Sequence, residues 1–196
     1  MEFWRCFKAA LQVTTIIKGN VIMNITVFGG SQPKVDSPAY AEALELGRLL
    51  ARAGHAVLTG AYIGAMEAVS KGASEAGGHV IGVTCEDIEN WRGVKTNAWV
   101  REERRFKTLQ ERLNALIQGC DAAIALPGGP GTLTEIALMI VNSLQPRQLI
   151  LVGAGWQAVF GEMFSSLGDY TPPHQRQLLQ LTPNIQSAVQ LLNTHP

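Results

Sequence analysis

Cysteine is scarce in this 196-residue chain, as are histidine and any excess of one charge. Its three cysteines, Cys6, Cys85 and Cys120, are scattered and odd in number, which argues against a disulfide framework and for reduced thiols in a cytoplasmic setting. The four histidines, His55, His79, His174 and His195, show no metal-ligand spacing with cysteines or carboxylates, so no protein-held metal is expected. Lys+Arg and Asp+Glu both count 16, which removes the electrostatic case for non-specific nucleic-acid binding or for an anionic membrane surface. No long apolar run is present: Lys8 and Lys18 interrupt the first 22 residues, and no apolar core followed by a small-residue cleavage site is seen there. Two familiar phosphate loops are missing as well. No glycine turn carries the Lys-Ser/Thr of the Walker loop, and none has its glycines spaced as G-x-G-x-x-G.

What is present is an alternation of short apolar runs and helical patterns. Residues 1–22 read as an N-terminal extension, either preceding a natural point for translation to begin at Met23, directly before the first clear strand, or forming a short amphipathic helix that packs on the body. Residues 23–196 read as a single domain, long enough to bury its own core. Strands are expected at 25–28, 56–59, 79–83, 122–126 and 148–152. Helices are expected from Ser37-Pro38 (cap, then proline at the first helical position) to Gly54, and over 65–76, 102–118, 135–144, 156–167 and 183–193. Residues 84–100 show no period and read as an irregular loop whose Trp91 and Trp99 either stack on a planar ligand or anchor the loop. Strands alternating with helices imply an α/β fold: a parallel sheet covered on both faces, with ligands beyond the C-terminal strand ends.

The stretch Ala125-Leu126-Pro127-Gly128-Gly129-Pro130-Gly131-Thr132 organises this edge. A strand, a glycine turn and a helix start offer free N–H groups and a partial positive charge to an anion. Two other glycine turns, Gly29-Gly30-Ser31 and the one opened by Gly60, fall at the same edge. Thr132 and Glu135 have capping-box spacing; alternatively Glu135 faces a ligand, where its carboxylate would balance positive charge developing on a sugar ring. On a 102–118 helix, Arg105 and Arg112 share one flank, and a guanidinium there either is solvated or orients Glu135, a phosphate or a leaving group. Ser31 and Thr59 read as turn residues or as donors to a phosphate or ribose; Tyr62 either fills its turn or packs on a base; Glu67 suits a helix start.

The segment Glu111-Arg112 … Asp121 … Pro127-Gly128-Gly129-Pro130-Gly131-Thr132 … Glu135, with Gly29-Gly30-Ser31, Leu46-Gly47, the turn from Gly60 to Met66 and Gly78 to Val83, resembles the signature of the Lonely Guy (LOG) family. The resemblance runs from about residue 25 to 152. It implies a Rossmann-like fold, usually dimeric through helices beside the site. It also implies hydrolysis of the N-glycosidic bond of an adenine-type nucleoside 5′-monophosphate to free base and ribose 5-phosphate, with no cofactor. Arg112 and Glu135 match the family's catalytic pair. Gly128, Gly129, Pro130, Gly131 and Thr132 match its phosphate cradle, with Gly30, Ser31 and Gly60 beside it. The ligand implied is a nucleoside monophosphate, and the partner a second copy of the chain or a higher homo-oligomer. The chain departs from the family pattern where Leu113 follows Arg112 in place of lysine, where Ala61 and Tyr62 replace glycines, and where Thr134 precedes Glu135. The alternative is a non-catalytic nucleotide or molybdenum-cofactor binding protein. An amino-acid decarboxylase, often the label given to such chains, would want a cofactor lysine that the central motif lacks.

Overall fold

The computed structural model describes residues 16–17, 20–142 and 147–192. In chain order the elements are β1 Ile16–Ile17, β2 Asn20–Val21, β3 Asn24–Phe28, α1 Pro38–Arg52, β4 Ala56–Thr59, α2 Ala65–Glu75, β5 Val80–Cys85, α3 Glu86–Arg92, β6 Glu102–Phe106, α4 Leu109–Gln118, β7 Ala122–Ala125, α5 Pro130–Val141, β8 Gln148–Val152, α6 Ala154–Ser166, a 3₁₀ turn Gly168–Tyr170, α7 Pro173–Arg176, β9 Leu179–Thr182 and α8 Ile185–Leu192. Seven strands form one sheet in the order β6-β5-β4-β3-β7-β8-β9, and every adjacent pair is parallel. The expected α/β, Rossmann-like arrangement is therefore the one found. Of the expected extension, 1–15 and 18–19 lie outside the described residues; β1 and β2 pair antiparallel as a separate two-stranded ribbon.

The strands are apolar on both sides because both sides are covered, and the pleat sorts alternate residues between two cores. Ile25, Val27, Val57, Ile124 and Ile150 pack with α1, α2 and α8 on one face. Phe28, Ala123, Ala125, Leu149 and Leu151 pack with α4, α5 and α6 on the other. The α1–α2 contact is backbone to backbone: a Cβ on Gly72 would overlap the Leu44 carbonyl, and one on Gly47 the Val69 carbonyl. The α1 start is as the sequence indicates, with Ser37 Oγ accepting from the Tyr40 N–H at 3.2 Å and Pro38 opening the helix.

Three elements differ from expectation. The 102–118 helix is instead strand β6 followed by helix α4. A run of charged residues can be a strand at a sheet edge, where one side of the ladder faces water: Glu103 and Arg105 are exposed, and Glu102, Arg104 and Phe106 are half-buried. Glu102 accepts from Arg104 Nε at 2.7 Å and lies 2.9 Å from His79 Nε2, so the inward charges are paired. The true helix start was written in the sequence as Thr108 and Glu111, which form a capping box. Helix α3 occupies part of the expected irregular loop, and β9 adds an outer strand that its polar residues concealed.

The order of strands reverses between β3 and β7. Connections to one side of that point run through β4, β5 and β6, and to the other through β8 and β9. A crevice at the C-terminal ends of β3 and β7 follows from this topology.

Candidate functional site

Three turns meet at the crevice, and backbone bonds hold them together. The Gly30 N–H donates to the Pro127 carbonyl at 3.2 Å, joining the turn after β3 to the turn after β7. The Ala65 N–H donates to the Gly30 carbonyl at 2.9 Å, joining the start of α2 to both. From the far side Trp156 Nε1 of α6 donates to the Leu126 carbonyl at 3.1 Å. The sequence-predicted Gly30, Gly60 and Gly128 to Thr132 thus come to one edge, with Ser31 half-buried beside them.

Helix α5 begins at this edge with Gly129 as its N-cap and Pro130 in its first position, and no side chain caps it. The first bond back along the helix is from the Leu133 N–H to the Gly129 carbonyl at 3.0 Å. The N–H groups of Gly131 and Thr132 precede it and have no partner one turn back, which leaves them for an anion. Gly129 and Gly131 are exposed, and a Cβ added to either would meet nothing within 4 Å. Gly129 has φ of −96°, which any residue adopts. Nothing within the chain therefore requires glycine at these two positions. Gly128 differs, because a Cβ there would overlap Thr132 Oγ1.

The capping-box reading of Thr132 and Glu135 is overturned. The helix starts two residues before Thr132, so Thr132 lies inside the first turn, 3 % exposed, and Glu135 lies one turn further along. Glu135 is half-buried; burial pushes its pKa up to about 7, against the opposing field of the Arg112 guanidinium.

Arg112 is not on a solvated flank. It is 4 % exposed, with Nε donating to the Val83 carbonyl at 2.8 Å and Nη2 to the Gly60 carbonyl at 3.2 Å. Its Cζ lies 5.3 Å from the centre of the Tyr62 ring, and Nη2 lies 4.0 Å from Met66 Sδ. Gly60 has to be glycine for this reason, since a Cβ there would occupy the place of Nη2. These bonds leave Nη1 out of them. No Arg112–Glu135 ion pair falls within 4.0 Å, although the field of one acts on the other. The two are near enough for that field to act and are not joined in an ion pair.

Arg105 does not accompany Arg112, because it belongs to β6 and pairs with Glu89 at 2.7 Å and Glu86 at 3.9 Å. Thr59 is fully buried, 3.0 Å from Ser70 Oγ and accepting from the Ala61 N–H, so it is a turn residue and not a ligand donor. Tyr62 is 3 % exposed and fills its turn. The 93–101 loop anchors through Asn97, whose Nδ2 donates to the Ala61 and Tyr62 carbonyls at 2.9 and 3.1 Å. Asn97, Met66 and the Val83 carbonyl were not expected around Arg112: Met66 and Val83 close segments that carry the family resemblance, but nothing in those segments marks them, and Asn97 lies in the stretch without a period. Among the described residues no group of three or more His, Cys, Asp or Glu is gathered to hold a metal, and no helix is long and apolar enough to cross a membrane.

The profile of the SLOG cluster4 family matches residues 22–166. The chain belongs to this family. It is 30% identical over 178 residues to a probable cytokinin riboside 5′-monophosphate phosphoribohydrolase of Oryza sativa subsp. japonica, covering 87% of this chain and 78% of that one. It is 30% identical over 156 residues to a cytokinin riboside 5′-monophosphate phosphoribohydrolase of Arabidopsis thaliana, covering 75% and 66%. Among solved structures, the molybdenum cofactor binding protein of Rippkaea orientalis superposes with a TM-score of 0.69 at 26% identity, covering 87% of this chain and 95% of that one. The molybdenum cofactor carrier protein of Chlamydomonas reinhardtii shares the fold, with a TM-score of 0.67 at 22% identity over 87% and 96%.

The raised Glu135 pKa has a consequence for stability. Its pKa is raised on folding, so between about pH 4.5 and 7 the folded chain keeps a proton that the unfolded chain has released. Stability on this account falls as pH rises through that window and is level above it. Glu135→Gln is expected to be more stable than the native chain at pH 8 by ~2–3 kcal/mol, a difference that closes toward pH 4.5. Urea unfolding at the two pH values measures it; equal stabilities at pH 8 would contradict the raised pKa.

Proposed function

We propose that the chain hydrolyses the N-glycosidic bond of an adenine-type nucleoside 5′-monophosphate, releasing free base and ribose 5-phosphate. The observation that carries this reading is a half-buried carboxyl within the field of a buried, carbonyl-held guanidinium, beside a glycine loop whose two open glycines the chain itself does not need. The 5′-phosphate rests on the N–H groups at the start of α5. The Glu135 carboxylate faces the ribose and stabilises the positive charge that develops at C1′ as the C1′–N bond lengthens. The leaving base takes the bonding electron pair and a proton from solvent, which the proton that Glu135 later releases replaces. Water adds to C1′, and Glu135 takes its proton, a role suited to a base with a pKa near the working pH. Arg112 keeps the carboxylate charged and offers Nη1 to the ligand. None of these steps calls for a cofactor.

A second reading, non-catalytic binding of a nucleotide or of the molybdenum cofactor, is favoured by the likeness to the Rippkaea orientalis protein. Purified protein incubated with AMP and N6-modified AMP, with free base followed by chromatography, separates the two. The native chain is expected to release base with kcat/KM rising through pH 7 to a plateau, and Glu135→Gln to lose at least ~100-fold. Unchanged release by Glu135→Gln would remove the carboxyl from the mechanism, and tight nucleotide binding without release would favour the second reading.

The chain's partner is proposed to be a second copy. Helix α5, which carries Thr132 and Glu135, exposes Leu133, Ala137 and Val141 at four-residue spacing, with Val141 70 % exposed. Such an apolar stripe calls for a covering surface, and a cytoplasmic location fits the free thiols of Cys85 and Cys120. Sedimentation is expected to give a dimer or larger species that Val141→Glu weakens; a native monomer at micromolar concentration would refute it.

A further inference from the structure

Two backbone carbonyls hold the Arg112 guanidinium, and they come from different segments. The Val83 carbonyl belongs to β5, and the Gly60 carbonyl to the turn after β4. The distance between those segments therefore sets where the guanidinium sits. Tyr62 ties them together. Its hydroxyl donates to the Cys85 carbonyl at 3.1 Å and accepts from the Cys85 N–H at 2.9 Å. Tyr62 is two residues past Gly60, and Cys85 two residues past Val83, so this bridge joins the same two segments that supply the acceptors. The same side chain places its ring 5.3 Å from the guanidinium carbon, where the π face favours a cation.

The turn itself is braced from the other side. Ala61 has φ of 65°, an unusual conformation for a residue with a Cβ. Its carbonyl accepts from the Asn97 N–H at 2.8 Å and from Asn97 Nδ2 at 2.9 Å, and its own N–H donates to Thr59 Oγ1 at 3.1 Å. Asn97 Nδ2 also reaches the Tyr62 carbonyl at 3.1 Å. A glycine at position 62, as the LOG pattern usually has, would supply neither the hydroxyl bridge nor the ring.

We propose that Tyr62, with Asn97 bracing its turn, is a positioning residue that fixes the Arg112 guanidinium opposite Glu135. This rests on the reading of Arg112 and Glu135 as a working pair. The charged and titratable groups around the phenol are Arg112 from α4, Glu89 from α3 and Cys85 at the end of β5. Burial, the largest influence, pushes its pKa up and keeps the hydroxyl a donor. On the carboxyl side, the charge whose field acts on Glu135 is that of Arg112. Loosening the guanidinium should therefore leave the carboxyl harder to ionise.

The test uses the full chain labelled with ¹³C at the glutamate carboxyls, the Glu135 signal being assigned by its loss in Glu135→Gln. In Tyr62→Phe, which keeps the ring and removes the bridge, the Glu135 titration midpoint is expected to rise by about half a pH unit or more. For AMP, kcat is expected to fall about tenfold with KM within about twofold. Asn97→Ala should shift both readouts in the same direction. Midpoint and kcat unchanged in both variants would overturn the proposal, as would a loss of thermal stability with neither readout moved. If the native chain releases no base, the phosphoribohydrolase reading fails, while the titration still decides the positioning role.

Discussion

The burial of one guanidinium constrains the whole C-terminal edge of the sheet. A charge 4 % exposed must be met by acceptors, and Arg112 finds them in the carbonyls of Val83 and Gly60. Neutral carbonyls satisfy its hydrogen bonds without cancelling its charge, so its field extends to Glu135. Much of the local sequence follows from this. Position 60 has no side chain because the guanidinium occupies that space. Helix α4 must start after Phe106, and the Thr108–Glu111 box fixes that start four residues before Arg112.

Topology supplies the other half of the site. The reversal of strand order between β3 and β7 opens a crevice, and the turns after those strands are joined across it by the Gly30–Pro127 bond. Helix α5 starts there uncapped, offers its N–H groups, and carries Glu135 inward. The anion cradle and the carboxyl thus belong to one rigid element, and the guanidinium to a neighbouring helix on the same face of the sheet. On the proposed function, a ligand's phosphate and sugar are read by two elements whose relative position the core fixes.

The sequence disclosed the parts of the fold that depend on local rules. The Ser37-Pro38 start of α1, the strands at 56–59 and 148–152 and the glycine loop were all legible, because capping, apolar runs and glycine turns are local. β6 was not legible, because Glu102 to Phe106 looks like a helix surface until its position at the sheet edge is known. For the same reason Arg105 and Arg112 were placed together, although they lie on different elements. Glu135 was ambiguous because the capping-box spacing fits equally well when the helix begins two residues earlier. The parts that hold Arg112 in place, namely Tyr62, Asn97 and two carbonyls, depend on contacts between residues 23 to 52 positions apart and have no signature along the chain.

The central claim is that Glu135 and Arg112 face one sugar whose phosphate lies on the start of α5. The crystal structure of Glu135→Gln with AMP bound tests it most directly. The account predicts the phosphate on the N–H groups of Gly131 and Thr132, and C1′ about 3.5 Å from the side chain at position 135. A nucleotide bound elsewhere, or one with its ribose turned away from both residues, would contradict it.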